Sequence, residues 1–395
     1  MTEATRIEPS RNLSADVAII GGGLVGCAAA LALRRHQLSV ALLEQGWCGA
    51  QASGVNHGGV RRQGRPAIQL PLAQRAHDIW RRLPELIGSD GEYLDTGHLK
   101  LARTETEMAT LEAYNVEAAP FGLQLELLGR DALRRRYPVL SEKLAGASFC
   151  AQDGHANPRL VATGFALAAR RQGAKIYEGE AVENASFDGM QFVLQTRSGL
   201  QLKSRYLLNC AGAWGAKIAA QFGEDVPEYS IYPNMVVTEP IAQLQLPNMG
   251  VVGGDIYARQ VARGNVILGG GRGTGALQMS ANRPDSGSTF DAIRTACDFI
   301  PALANALVIR TWTGVEGAFD DNQPVIGPSL TTPGLWHAFG FCGGGFQLAP
   351  AVGEVLCDLV TSGATATPIA PFGIDRFGRQ SATENGGNRA MGNPG

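Results

Sequence analysis

Two rhythms of apolar and polar residues divide the chain. Val17–Ile20 and Val40–Leu43 are unbroken apolar runs of strand length, and between them Leu24 to about Arg35 is a small-residue stretch of helix length. Unbroken strands are those buried on both faces of a parallel sheet, so the opening reads as strand–helix–strand. Helical spacing returns from Ile68 to about Ile87. Tyr93–Thr96 and His98–Ala102 then read as a hairpin about Gly97, followed by helices near 104–117 and 130–136 with a short strand between them. Pro158 opens a further helix, 159–172, with Asn157 as its N-cap. Lys175–Glu180, Phe192–Thr196 and Tyr206–Cys210 read as strands. From Glu228 to Trp312 strand patterns dominate (YPNMVVTE, GDIYARQV, GNVILGGG), with one helix near 289–299, and a last helix, Ala351–Thr361, starts after Pro350.

This order predicts an α/β protein of two interleaved units. Segments 15–90, 150–222 and 313–372 form a nucleotide-binding domain. Segments 91–149 and 223–312 form an α+β domain on a mostly antiparallel sheet. The polar ends, 1–14 and 376–395, read as flexible tails.

The first turn carries the clearest chemistry. Gly21, Gly23 and Gly26 fill G-x-G-x-x-G between a strand and a helix, serving the tight turn, close backbone approach to a pyrophosphate, and helix-on-strand packing. The helix start, at Leu24, offers unpaired N–H groups to phosphate. Glu44, with Gln45 beside it, closes the second strand at the spacing of an acid that binds ribose hydroxyls. The motif by itself leaves FAD and NAD open. Segment 46–66 is too long for an ordinary connection and reads as functional.

Composition narrows the rest. A net charge of −2 gives no electrostatic case for nucleic acid. The seven cysteines are scattered, without C-x-x-C, which points to reduced thiols and no metal site. The polar N-terminal residues lack a secretory pattern and no apolar run is long enough for a transmembrane segment, so the expected location is cytoplasmic.

Taken together, DVAIIGGGLVGCAAALAL, SGVNHGGVR, the AGAWG turn at 211–215, DNQPVIG (321–327) and GFCGGGFQLAPAVG (340–353) resemble the FAD-dependent D-amino-acid oxidase superfamily. Within it they look most like the group of sarcosine oxidase β, opine oxidase B, hydroxyproline dehydrogenase β and hydrogen cyanide synthase, over roughly residues 15–372. The resemblance implies a Rossmann-like FAD-binding domain with an interleaved substrate domain. It also implies oxidation of the C–N bond of a secondary amine or amino acid (hydroxyproline, sarcosine, opine or D-amino acid type) by hydride transfer to flavin N5. Small partner subunits bringing a further flavin or an iron–sulfur cluster are part of the same implication. A 2-hydroxy-acid dehydrogenase, or a flavin-bearing subunit of a larger complex, is the alternative.

Residue by residue, the resemblance places Ser53, Asn56, His57 and Gly58 across the flavin, and Val182, Ala211, Gly212 and Trp214 about the ADP half. Gly343, Gly344 and Gly345, followed by Phe346 and Gln347, bring backbone N–H groups to the flavin's pyrimidine end. Where several family members carry a carboxylate-binding arginine, this chain has Glu316. Tyr257 and Arg259 are then the alternative carboxylate grip, and Glu316 an acid to meet a cationic amine. His57, expected at the flavin or near the substrate amine, where a pKa near neutrality would be useful, completes the catalytic candidates. Arg61 and Arg62 are expected to hold the loop or a phosphate.

Overall fold

The computed structural model describes residues 12–277 and 281–378. Strand β1 (Asn12–Ile20), helix α1 (Leu24–Arg35) and strand β2 (Val40–Glu44) form the expected unit. β1 is parallel to β2 on one side and to strand 201–209 on the other; 175–178 extends the sheet beyond β2, and 335–339 extends it beyond 201–209. Strands 182–187, 192–196 and 325–328 complete it with antiparallel pairings. Val17 and Ile19 face a core shared with α1 and helices 70–80, 158–171 and 345–362, while Ala18 and Ile20 face a second core with Phe192, Leu194 and Leu202. Both faces are covered, which is why the strand is apolar throughout. Helix 345–362 crosses α1 closely: a Cβ on Gly353 would lie 2.7 Å from Ala28.

The second sheet runs 308–313, 233–240, 265–272, 256–260, 248–251, 98–102, 146–150, 126–129. Its neighbours are antiparallel except 248–251 beside 98–102. One face, with Leu99, Leu101, Met249, Val251, Ile256 and Ala258, packs against helix 286–299 and the turn after it. The other face carries the alternate residues, His98, Lys100, Asn248 and Tyr257, towards a cavity.

Several expectations change. Residues 12–14 continue β1 instead of forming a loose arm, while 1–11 lie outside the described residues. At the other end Arg376 pairs with Asp321 (2.7 Å) and stacks on Phe319 and Phe377, so the chain is packed through this turn; 379–395 lie outside the described residues. The 68–87 helix breaks after Trp80 and resumes at Leu83–Ile87, because Pro84 cannot bond the Trp80 carbonyl. Tyr93–Thr96 is not a hairpin arm. Only Leu94 bridges, to His155, and strand 98–102 pairs with 146–150 and 248–251, two strands the pattern did not reveal. Strand 175–180 ends at Glu178. The last helix starts at Gly345, with Pro350 inside it; burial of Phe346 to Val352 offsets the one lost backbone bond.

Candidate active site

A cavity of about 450 Å³ lies between the two sheets. One wall is the start of α1 and loop 52–59, a second is the glycine run 343–345, and the floor is the polar face of the second sheet.

Local bonds hold each wall. Gly21 closes the first turn at φ +104, where a Cβ would lie 2.4 Å from the Cys210 carbonyl oxygen; one on Gly26 would lie 2.1 Å from the Gly21 oxygen. Gly23 is looser, with only Ser53 Oγ at 3.2 Å. Ser53 Oγ accepts the Leu24 N–H (2.8 Å). Glu44 is buried at the end of β2, its two oxygens accepting the N–H groups of Gly22 and Gly46 at 2.7 Å each. Burial pushes its carboxyl above the usual range, against the pull of those two bonds. Gln45 beside it is exposed. Ala211, Gly212 and Trp214 follow strand 201–209 as a short turn, and Val182 opens strand 182–187; neither group lines the cavity.

Loop 52–60 is fastened from three directions. The Asn56 side chain serves its own loop, donating to the Ala52 and Ser53 carbonyls and accepting from Gly58 N–H (2.7 Å). Trp312 Nε1 donates to the Val55 carbonyl (2.7 Å), and Arg259 Nε to that of His57 (2.5 Å). Arg62 holds the following segment through Asp153, 3.3 Å away.

His57, Tyr257 and Glu316 therefore share one cavity with Leu24, Ser53, Asn56, Gly58, Gly343–Gly345, Phe346 and Gln347. Arg259 does not line it: its guanidinium is buried against the His57 carbonyl and His155 Nδ1, so it braces the loop and cannot reach a ligand there as a carboxylate grip. His57 is buried in the cavity wall. Burial, then the charge of Arg259, pushes its pKa well below the ordinary value, so it stays neutral across physiological pH. Its ring meets Tyr257 edge-on, centroids 4.8 Å apart, and its Nε2 has no partner among the described residues. Burial raises the Tyr257 hydroxyl, with the Glu316 charge adding to the shift. Glu316 sits on a two-stranded ribbon opposite Ile231; burial raises its carboxyl, the Gly343 N–H pulling the other way. It forms no ion pair among the described residues.

Arg61, Arg65, His98 and Lys100 also line the cavity, beyond the residues singled out as catalytic or cofactor-binding. Arg65 donates to the Gly344 and Arg61 carbonyls and to Gln69 Oε1, and burial brings it down to about 9. The signal for His98 and Lys100 was present: in His98-Leu99-Lys100-Leu101 the polar residues alternate with core leucines.

A long anionic ligand fits this donor set. Neither α1 nor helix 345–362 has an acid in its first turn or a side-chain bond from its N-cap residue, and the starts of both border the same cavity. A helix start with unpaired N–H groups and no acid in its first turn suits an anionic group.

Comparison with known proteins agrees. Residues 16–359 match the family model DAO, "FAD dependent oxidoreductase". The chain is 29% identical over 371 residues to glycine oxidase of Geobacillus kaustophilus, covering 91% of this chain and 97% of that one. It is 26% identical to a subunit of opine oxidase from Rhizobium meliloti, covering 93% and 99%. The crystal structure of L-proline dehydrogenase from P. horikoshii superposes with a TM-score of 0.86 at 27% identity, covering 94% and 99%. No helix among the described residues is long and apolar enough to cross a membrane. The chain belongs to the DAO family of FAD dependent oxidoreductases, and FAD is its cofactor.

Proposed function

We propose that the protein oxidises the C–N bond of a small secondary amine or amino acid, and that Glu316 meets the substrate nitrogen. The observation that carries this reading is an acid without an ion pair, set in the cavity wall beside the glycine run that would border the flavin. A cationic amine is its natural complement, whereas the hydroxyl of a 2-hydroxy acid supplies no charge to it.

Bound FAD supplies the two-electron acceptor for the carbon next to nitrogen. The chain does the positioning. Glu316 holds the ammonium and, with its carboxyl raised by burial, takes a proton from nitrogen so that the amine reacts neutral. Tyr257 remains protonated and donates its O–H to the substrate. Neutral His57 packs against the Tyr257 ring, and Arg259 acts as a positioning residue through the His57 carbonyl. The N–H groups of 343–345 and α1, with Ser53 and Glu44, would hold the cofactor. Ile231, Met235 and Phe346 keep water from the reacting end.

The test is anaerobic bleaching of the purified holoenzyme's flavin by secondary amines, D- and L-amino acids and 2-hydroxy acids. Amines should bleach it, faster as pH rises through loss of the ammonium proton. Bleaching by hydroxy acids alone would sink the reading.

The likeness to a protein named as one subunit of an opine oxidase supports a further part of the proposal, that a partner subunit takes the electrons onward. Slow reoxidation by oxygen beside fast reoxidation by a dye is the expected result, and fast turnover with oxygen alone removes the need for a partner.

A further inference from the structure

Charge is distributed unevenly along the cavity. Glu316 lies at the glycine run, while Arg61 and Lys100 meet at the mouth, over the exposed turn at Gly64. A Cβ built on Gly64 would lie 3.3 Å from Arg61 Nη1 and 3.6 Å from Lys100 Nζ, so both heads reach the same point.

Neither cation is neutralised. The Lys100 ammonium makes no hydrogen bond or ion pair among the described residues, and the Arg61 guanidinium donates only to the Gln63 carbonyl (2.6 Å). The acids whose charges reach them are engaged elsewhere: Asp153 with Arg62, Glu107 and Asp255 with Arg103. Burial, then the repulsion of Arg61, brings Lys100 down to about 8, which leaves it a cation at neutral pH. Arg65 already donates at the glycine run, to the Gly344 carbonyl.

Between Lys100 and Tyr257 the floor is Gly250, with His98 Nε2 3.8 Å from where its Cβ would lie. Lys100, Gly250, Tyr257 and Gly269 form one row across four neighbouring strands, and so project on the same face. The Tyr257 ring leans over Gly269, where a Cβ would lie 1.8 Å from Cε2, and Gly250 places nothing between Tyr257 and Lys100. Two strand spacings separate those backbones, about 10 Å. An α-amino acid keeps its nitrogen within about 3 Å of its own carboxylate, well short of that backbone spacing.

We propose that the substrate carries a second carboxylate on an arm set apart from the reacting C–N bond, and that Lys100 and Arg61 bind it at the cavity mouth. Arg61, Lys100 and Arg65 against the single acid Glu316 give the cavity an excess of positive charge, the complement of a substrate with more carboxylates than ammonium groups. This deepens the amine reading by naming the substrate class, and it rests on the same cavity.

Two measurements on the holoenzyme test it. In the first, glutarate and butyrate are titrated against the flavin spectrum; glutarate should bind at least about tenfold more tightly, the worth of one charge-assisted contact. In the second, racemic N-methylglutamate and N-methylalanine are compared as reductants. They share a reacting centre, and the former should show a KM at least about tenfold lower at similar kcat. Lys100→Met should collapse the glutarate-to-butyrate ratio, and Lys100→Arg should keep it. Equal binding of the two acids, or a ratio that Lys100→Met leaves intact, overturns the proposal even if amines reduce the flavin. Preferential glutarate binding that depends on Lys100 supports it even if no amine reacts, in which case the amine reading alone fails.

Discussion

Glu316 and Glu228 are both pushed up by burial, and only the first lines the cavity. Glu228 lies behind the wall: its Oε2 accepts the Ala216 N–H (2.9 Å), and its Oε1 has no partner among the described residues and faces Gly317. Burial raises it from the ordinary 4.5 to about 8. Between those values the folded protein keeps a proton that the unfolded chain has released. Stability therefore falls as pH rises through that window. Glu228→Gln removes this penalty. Its stabilisation over the parent in denaturant unfolding should grow by about 1–3 kcal/mol from pH 5 to pH 8.5. A difference independent of pH would show that the acid is solvated. At this same scale only part of the site was legible along the chain. Tyr257 and Arg259 have the same strand parity, yet one faces the cavity and the other is covered by loop 57–58 and His155. That division depends on a loop two hundred residues away.

Among the elements, the glycine turn separates two roles that one motif combines. A side chain on Gly26 would collide with the Gly21 carbonyl and drive α1 off β1, whereas one on Gly23 meets only Ser53 Oγ. Gly26→Ala should cost several kcal/mol, at least about 3, and fail to fold or to hold FAD. Gly23→Ala should keep the apoprotein's circular dichroism and unfolding midpoint but weaken FAD binding at least about tenfold in reconstitution titrations. Equal damage from both would deny Gly23 a part in cofactor approach. The start of helix 345–362 was harder to see than that of α1. Pro350 reads as a beginning in sequence, but it sits inside a helix whose first turn is the glycine run. Strands 146–150 and 248–251 were not evident because alanine, serine and glycine weaken the apolar signal, and their partners are distant in sequence.

The whole molecule joins its two sheets through repeated passage of the chain. Strands of the first sheet come before, between and after those of the second, so neither sheet is a continuous segment. The cavity lies where they face one another, and a ligand along it touches both. Holoenzyme unfolding should therefore be one transition, with flavin release and loss of helix coincident by fluorescence and circular dichroism. Free FAD at one hundred times its Kd should stabilise the apoprotein by about 2.7 kcal/mol. Two separated transitions would show that the sheets unfold independently.

By itself the sequence determined the strand–glycine turn–helix opening, the fold class and the family, because each rests on contiguous residues whose backbone demands are local. Glycine spacing, strand length and helix starts are decided within a few residues of one another. Only the tertiary structure decided which polar side chains face one another. Segments 61–65, 98–100, 250–257, 316 and 343–345 come together through sheet register and loop packing. Whether a charge is paired, buried or free to bind depends on neighbours that sequence order does not bring near.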